Sequence, residues 1–264
     1  MKLMRASFSG LRGFSRALFR PRDARVRRLE RDLREGRIAK DDYYNALTHE
    51  IIKRVVARDS VCVDVGCHCG TILRVMKRHA PRGHFFAFEP IPQLHAGLVR
   101  QFADANTRIY DLALTDGRGQ SSFSHVVSNP GYSGLRQRLY DRPNERIVPL
   151  RVQTDRLDAV LQRAESPSVD FIKIDVEGAD HLVLEGATEC IRRDRPVIVF
   201  EFGERSNGCY GVSAADVFEL ITQTLSLRVS LLSDFLLGGP PLSEVQFCEH
   251  YRLGSEYYFV AHPE

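Results

Sequence analysis

From residue 61 onward, short and nearly continuous apolar runs alternate with stretches whose apolar positions recur every three or four residues. The runs at 61–65, 84–88, 108–114, 169–174 and 197–202 read as strands buried on both faces, and so as a parallel sheet. Between them, 71–79, 93–102, 155–164, 180–192 and 214–225 read as covering helices. Two segments, 121–127 and 147–152, depart from this alternation and read as a β-pair. The final strands, 228–232 and 257–261, have no clear helix between them, so one of them is expected to run antiparallel. The fold class is α/β.

Residues 24–57 read as charged helix, with Tyr43, Tyr44, Leu47, Ile51, Ile52 and Val55 forming a stripe that could cover the sheet. The pattern divides the 264 residues into a basic helical extension (1–57) and one α/β domain (58–264), a length that suits a single sizeable core. In residues 1–22, Met4, Phe8, Leu11, Phe14 and Leu18 fall on one helical face, and Arg5, Arg12, Arg16 and Arg20 on another. Such a helix could lie on an anionic membrane surface, bind a partner or act as a presequence. A solvated leader is the bland alternative, because Gly10 and Gly13 weaken the helix.

Charge follows the same division. Residues 1–40 carry 13 Lys+Arg and 4 Asp+Glu, which leaves 24 against 30 for the rest of a chain of net charge +3. The body is therefore slightly acidic, which argues against a nucleic-acid surface on it. No apolar run has the length of about 18 residues that a membrane span needs, and charges interrupt any secretory-signal pattern. The six cysteines show no disulfide framework, so a reducing cytoplasm is expected, with peripheral membrane contact through 1–22 as an option.

The candidate chemistry lies where strands end. After 61–65 comes Gly66-Cys67-His68-Cys69-Gly70, a G-x-x-x-G turn opening a helix. It lacks the third glycine of a dinucleotide fingerprint and suits S-adenosylmethionine better than a nicotinamide cofactor. Asp64 could meet an ammonium group, and amides at the helix entrance a carboxylate. Glu89 closes the second strand, where an acid bonds ribose hydroxyls. Asp111, Leu112 and Ala113 could flank an adenine. If the chain stays extended past the fourth strand, Lys173, Asp175 and Glu177 share one side, and Glu201 ends the fifth strand. Such groups can hold a hydroxyl and take its proton. His181, His125 and His250 are alternative bases. Asp175, Glu177 and Glu201 could hold magnesium through oxygen. Zinc at Cys67-His68-Cys69 is disfavoured, since adjacent residues cannot wrap one tetrahedral ion. The long 128–146 segment, with Tyr132, Arg136, Arg138, Tyr140 and Arg142, is a candidate lid over an acceptor.

These pieces resemble the FkbM-type S-adenosylmethionine-dependent methyltransferases. The likeness is carried by Val63-Asp64-Val65-Gly66 with Gly70, Phe86-Ala87-Phe88-Glu89-Pro90, Ala113-Leu114-Thr115-Asp116, and Phe171-Ile172-Lys173-Ile174-Asp175-Val176-Glu177-Gly178-Ala179. Val183–Ala187 and Pro196–Glu201 follow in order, so it covers roughly residues 58–205. It implies a class I (Rossmann-like) seven-stranded, mostly parallel sheet with helices on both faces and an antiparallel last strand. It also implies O-methylation of a sugar, glycolipid or natural-product hydroxyl. By the same resemblance Asp64, Gly66 and Gly70 would sit at the methionine part of the donor, Glu89 at the ribose, and Asp175 and Glu177 at the methyl and the acceptor. Cys67-His68-Cys69 departs from the family's usual Ala-Asn, which puts the loop's side-chain contacts in question. A nicotinamide-dependent oxidoreductase and a non-catalytic nucleotide-binding protein are the alternatives. The first lacks the third glycine and a Tyr-x-x-x-Lys segment; intact Asp64, Glu89, Asp175 and Glu177 argue against the second.

Overall fold

The computed structural model describes residues 20–140 and 144–264. The amphipathic face expected in residues 1–22, apart from the backbone of 20–22, and Arg142 of the expected lid lie outside the described residues. Ten strands form: β1 Val61–Val65, β2 His84–Phe88, β3 Thr107–Tyr110, β4 Leu112–Leu114, β5 Gly119–Val126, β6 Ile147–Asp155, β7 Phe171–Ile174, β8 Val197–Glu201, β9 Arg228–Leu231 and β10 Tyr258–His262.

Seven strands make the main sheet in the order β3-β2-β1-β7-β8-β10-β9. The β3–β2, β2–β1, β1–β7 and β7–β8 pairs are parallel, while β10 runs antiparallel to both β8 and β9. This is the mostly parallel sheet with an antiparallel last strand that the resemblance implied. Strands β1, β7 and β8 are buried at every position, as their unbroken apolarity requires.

One face of the sheet packs under the segments following β6, β7, β8 and β9, where Leu157, Val183, Ile191, Val217 and Phe247 share a core. The other face packs under the helices Lys40–Val55, Thr71–His79 and Leu232–Leu237, through Leu47, Ile51, Leu73 and Leu236. The predicted stripe on 43–55 therefore covers the sheet. A division at residue 57 does not coincide with a break in this core.

Four expectations need correction. The strand expected at 108–114 breaks at exposed Asp111, and Leu112–Leu114 joins a separate three-stranded sheet, β4-β6-β5. This sheet contains the predicted β-pair, now β5 and β6. The helix expected at 180–192 divides around Gly186, where a Cβ would lie 2.0 Å from the Thr115 carbonyl oxygen. The charged helix expected over 24–57 is two helices, Arg20–Arg34 and Lys40–Val55, separated near Gly36 at φ +67°. Finally, two helices, Leu232–Leu237 and Glu244–Leu253, lie between the last two strands. The second is started by a reciprocal cap between Ser243 and Gln246.

Gly70 also departs from its expected reason. A Cβ there would lie 2.3 Å from the Phe102 ring and 2.9 Å from Leu98, so the residue lets two helices meet rather than admitting a ligand. Gly70→Ala is expected to cost about 1–3 kcal/mol in urea unfolding, from this clash and from φ +79°. A loss below about 0.5 kcal/mol, the range of an ordinary surface change, would contradict that packing account.

Candidate active site

The carboxyl ends of β1, β2, β7 and β8, with the start of β10, border a cavity of about 750 Å³. That size suits a small-molecule site, and this edge is where open α/β sheets bind ligands. Its floor depends on Gly66. At φ +78° a Cβ would lie 1.8 Å from the Asp175 carbonyl oxygen, so only glycine lets the β1 turn lie against the end of β7. The Gly66 and Cys67 amides both donate to the Phe88 carbonyl, at 3.1 and 3.0 Å. This fixes the turn beside the end of β2.

Glu89 follows directly and is 4% exposed. The His68 and Ile91 amides donate to its two oxygens, each at 2.9 Å. These bonds aim the carboxylate into the cavity wall while leaving lone pairs for other donors. Burial outweighs them and raises its pKa to about 7.

Past the glycine turn lies a group of acids around one buried ammonium. Lys173, 4% exposed, donates to Asp175 at 2.9 Å. The Tyr258 hydroxyl donates to the same Asp175 oxygen at 2.6 Å. The packing around Asp175 would raise its pKa, but the Lys173 charge and these hydrogen bonds prevail and hold it below the usual value. Glu201 moves the opposite way: burial, then the charges of Asp175 and Asp180, raise it well above the ordinary range. The two carboxyls are therefore pushed apart, Asp175 toward its ionised form and Glu201 toward its protonated form. Asp180, fully buried, is raised to about 7 by burial and by Asp175.

Glu177 sits at φ +58°, ahead of Gly178 at φ +108°, and pairs with Arg138 of the expected lid. The Arg138 guanidinium lies 4.9 Å over the Tyr132 ring. Gly178 is held by Asn207, whose amide donates to its carbonyl at 2.7 Å. The Asp175, Glu177 and Glu201 oxygens come within 4.8 Å of one another.

The structure thus brings together Gly66, His68, Glu89, Leu112, Ala113, Asp175, Glu177 and Glu201 around one cavity, with Lys173 behind Asp175. Tyr132 and Arg138 of the 128–146 segment also line it, whereas Arg136 turns away to the Cys209 carbonyl and Tyr140 stacks on Tyr132. Other expected residues lie elsewhere. Asp64 is buried beneath the turn beside Cys67, whose side chain packs into the core. Burial raises Asp64 to about 6 against the pull of Lys173. Gly70 borders a helix, Asp111 is exposed, and buried His181 packs edge-on against Tyr210. His125 and His250 do not line the cavity either.

Sequence reasoning missed Tyr258, Asp180, Asn207 and the cavity residues Asp41, Tyr44 and Asn45. The antiparallel last strand was the available signal for Tyr258, since such a strand starts at the edge where its parallel neighbours end.

The chain belongs to the FkbM methyltransferase family, whose Methyltransferase FkbM domain matches residues 64–226. That membership decides against the oxidoreductase alternative. The chain is 28% identical over 158 residues to the 2-O-methyltransferase NoeI of Sinorhizobium fredii, covering 55% of this chain and 65% of that protein. It is 27% identical over 195 residues to the hexuronic acid methyltransferase AglP of Haloferax volcanii, covering 68% of this chain and 70% of that one. Among solved structures, the methyltransferase FkbM from Methylobacillus flagellatus aligns with a TM-score of 0.48 at 12% identity, over 78% of this chain and 44% of its own. Among the described residues no helix is long and apolar enough to cross a membrane.

The Glu89 environment makes a pH prediction. Folded protein keeps a proton on Glu89 that the unfolded chain releases from about 4.5, so this contribution to stability is full below 4.5 and is lost as pH rises to about 7. Asp64 and Asp180 act in the same direction, and a comparison with Glu89→Gln removes their shares. Urea unfolding at pH 4.5, 6 and 7 should show the variant losing less stability with rising pH than the parent. Parallel curves would contradict the assignment.

Proposed function

We propose that this protein is an S-adenosylmethionine-dependent O-methyltransferase acting on a hydroxyl of a sugar, glycolipid or natural product. One observation carries the reading: a single cavity has an amide-held carboxylate, Glu89, at one end and an ionised carboxylate, Asp175, at the other, with the Gly66 turn between. The residues fit the donor. Glu89 has lone pairs for two ribose hydroxyls, and Leu112, Ala113 and Leu114 offer apolar surface and backbone to a base. Asp64 lies beneath the turn, so its part is to brace the turn rather than to touch the donor's ammonium.

Bound, the donor supplies an electrophilic sulfonium methyl. Asp175 accepts a hydrogen bond from the acceptor hydroxyl and so sets its direction of attack. With the donor bound, the attacking hydroxyl oxygen would become strongly acidic as it gained the methyl and the donor's thioether left, so even a weak carboxylate base such as Asp175 could take its proton. Lys173 and Tyr258 keep Asp175 ionised for that step. Protonated Glu201 can donate toward the same hydroxyl. Arg138 and Tyr132 close the cavity above them.

Magnesium is a separate option. The three carboxylates suit it by donor type and proximity. Lys173 and Arg138 already balance two of them, so no step of the reaction is routed through a metal. The acceptor class draws support from the relatives, one a 2-O-methyltransferase and one a hexuronic acid methyltransferase.

Calorimetry and labelled methyl transfer test this reading. Glu89→Ala should weaken S-adenosylmethionine binding about 100-fold, the worth of two charge-assisted hydrogen bonds. Asp175→Asn should lower kcat by about 100-fold with donor affinity kept within about tenfold. Unchanged donor binding in Glu89→Ala, or label appearing on nitrogen or carbon of the product, would contradict it.

A further inference from the structure

The family match stops at residues 64 and 226, yet the cavity continues past both limits. Along the sheet edge the order β2-β1-β7-β8-β10 puts Glu89 at one side, then Gly66, then Asp175, then Glu201 and Tyr258. Each strand step is about 4.8 Å. A donor anchored at Glu89 and passing Gly66 presents its methyl near Asp175, so the space beyond β8 belongs to the acceptor. Besides residues 203–206, which follow β8 inside the match, that far wall is built from two segments outside it. The helix Lys40–Val55 supplies Asp41, Tyr44 and Asn45, and the chain entering β10 supplies Arg252 and Tyr257.

The two segments are fastened to one another. The Tyr44 hydroxyl donates to Glu256 and receives the Tyr257 amide at 3.3 Å. The Tyr257 hydroxyl donates to Asp41 at 2.6 Å. Lys40 donates to the Ser255 carbonyl, and its ammonium lies 5.1 Å over the Tyr257 ring. Two polar side chains stand apart from this network: Asn45 and Arg252, both exposed at the cavity, have no hydrogen-bond or ion-pair partner among the described residues. A wall whose scaffold is tied up, but which keeps an amide and a guanidinium open beside aromatic surface, matches a ring bearing several hydroxyls.

We infer that this two-segment wall is the acceptor-specificity subsite, with Asn45 and Arg252 bonding hydroxyls or a ring carboxylate of a sugar-like acceptor and the partly exposed Tyr257, backed by buried Tyr44, packing on the ring. The inference rests on the methyl-transfer reading for the donor's direction. It makes the helix Lys40–Val55 part of the working site, although that helix lies outside the segment by which the family is recognised. Because this wall is separate from the Glu89 end, acceptor choice can change while the donor site stays the same.

The test uses the full chain, with p-nitrophenyl β-D-glucopyranoside and p-nitrophenyl β-D-glucuronide as probes. Binding is read by saturation-transfer NMR titration, with and without S-adenosylhomocysteine, and S-adenosylmethionine binding is measured separately by calorimetry. Wild type should show saturation of ring protons of at least one probe. Asn45→Ala and Arg252→Ala, which remove no hydrogen bond or ion pair among the described residues, should keep the unfolding midpoint and each weaken that probe about tenfold, with donor affinity unchanged within about twofold. Equal probe affinity in both variants and wild type, or no binding of either probe by wild type, overturns the inference. Wild type that binds a probe but not S-adenosylmethionine sinks the donor reading instead, and the variant titrations without donor still decide the wall.

Discussion

The structure depends on keeping a single ammonium group inside a sheet. Lys173 sits on β7, buried, in register with Asp64 on β1 and beside Asp175 at the end of its own strand. Charges taken from water must be paired or neutralised, and the carboxylates here do both. Asp175 takes the direct ion pair and remains ionised. Glu201 and Asp180, farther from the lysine and close to Asp175, are pushed toward their neutral forms. One positive charge thereby sorts the acids of the edge into an acceptor and donors. The Tyr258 ring covers the ammonium at 4.9 Å while its hydroxyl reaches Asp175, so the last strand completes an arrangement begun by the middle one.

Around that pair the backbone is held in costly shapes. Among the described residues, five other than glycine have positive φ, and two of them, His68 and Glu177, line the cavity. Each is braced by a neighbour: the His68 amide by Glu89, the Glu177 side chain by Arg138. Gly66 and Gly178 make the close approaches beside them, against the Asp175 and Ser206 carbonyls. Local strain of this kind persists where the surroundings over-determine it, and here it accompanies the placing of the Glu89 and Glu177 carboxylates at one cavity.

Much of this was legible from the residues because buried parallel strands write themselves as unbroken apolar runs. Val61–Val65, His84–Phe88 and Val197–Glu201 appear at their expected places, and the acids or glycines that end the first two and the last are those of the site. The failures have physical causes. Leu112–Leu114 continues the apolar pattern of β3 without sharing its sheet, since apolarity reports burial and not the partner strand. The helix Glu244–Leu253 buries chiefly Phe247, too little to show a stripe, although the Ser243–Gln246 cap was readable. Gly70 and Asp64 sit in motif positions but face inward, which spacing does not reveal. The contribution of Asp41, Tyr44 and Asn45 required knowing where an N-terminal helix docks, a tertiary fact with no local signature.

The central claim is that one cavity joins the Glu89 end, for the donor's sugar, to the Asp175 end, for the methyl and the acceptor. The most direct test is a crystal structure of the full chain with S-adenosylhomocysteine. The account predicts both ribose hydroxyls on the Glu89 carboxylate, the adenine against Leu112 and Ala113, and the sulfur turned toward Asp175 and Tyr258. Ribose bound away from Glu89, or a sulfur facing away from the Lys173–Asp175 pair, would contradict it.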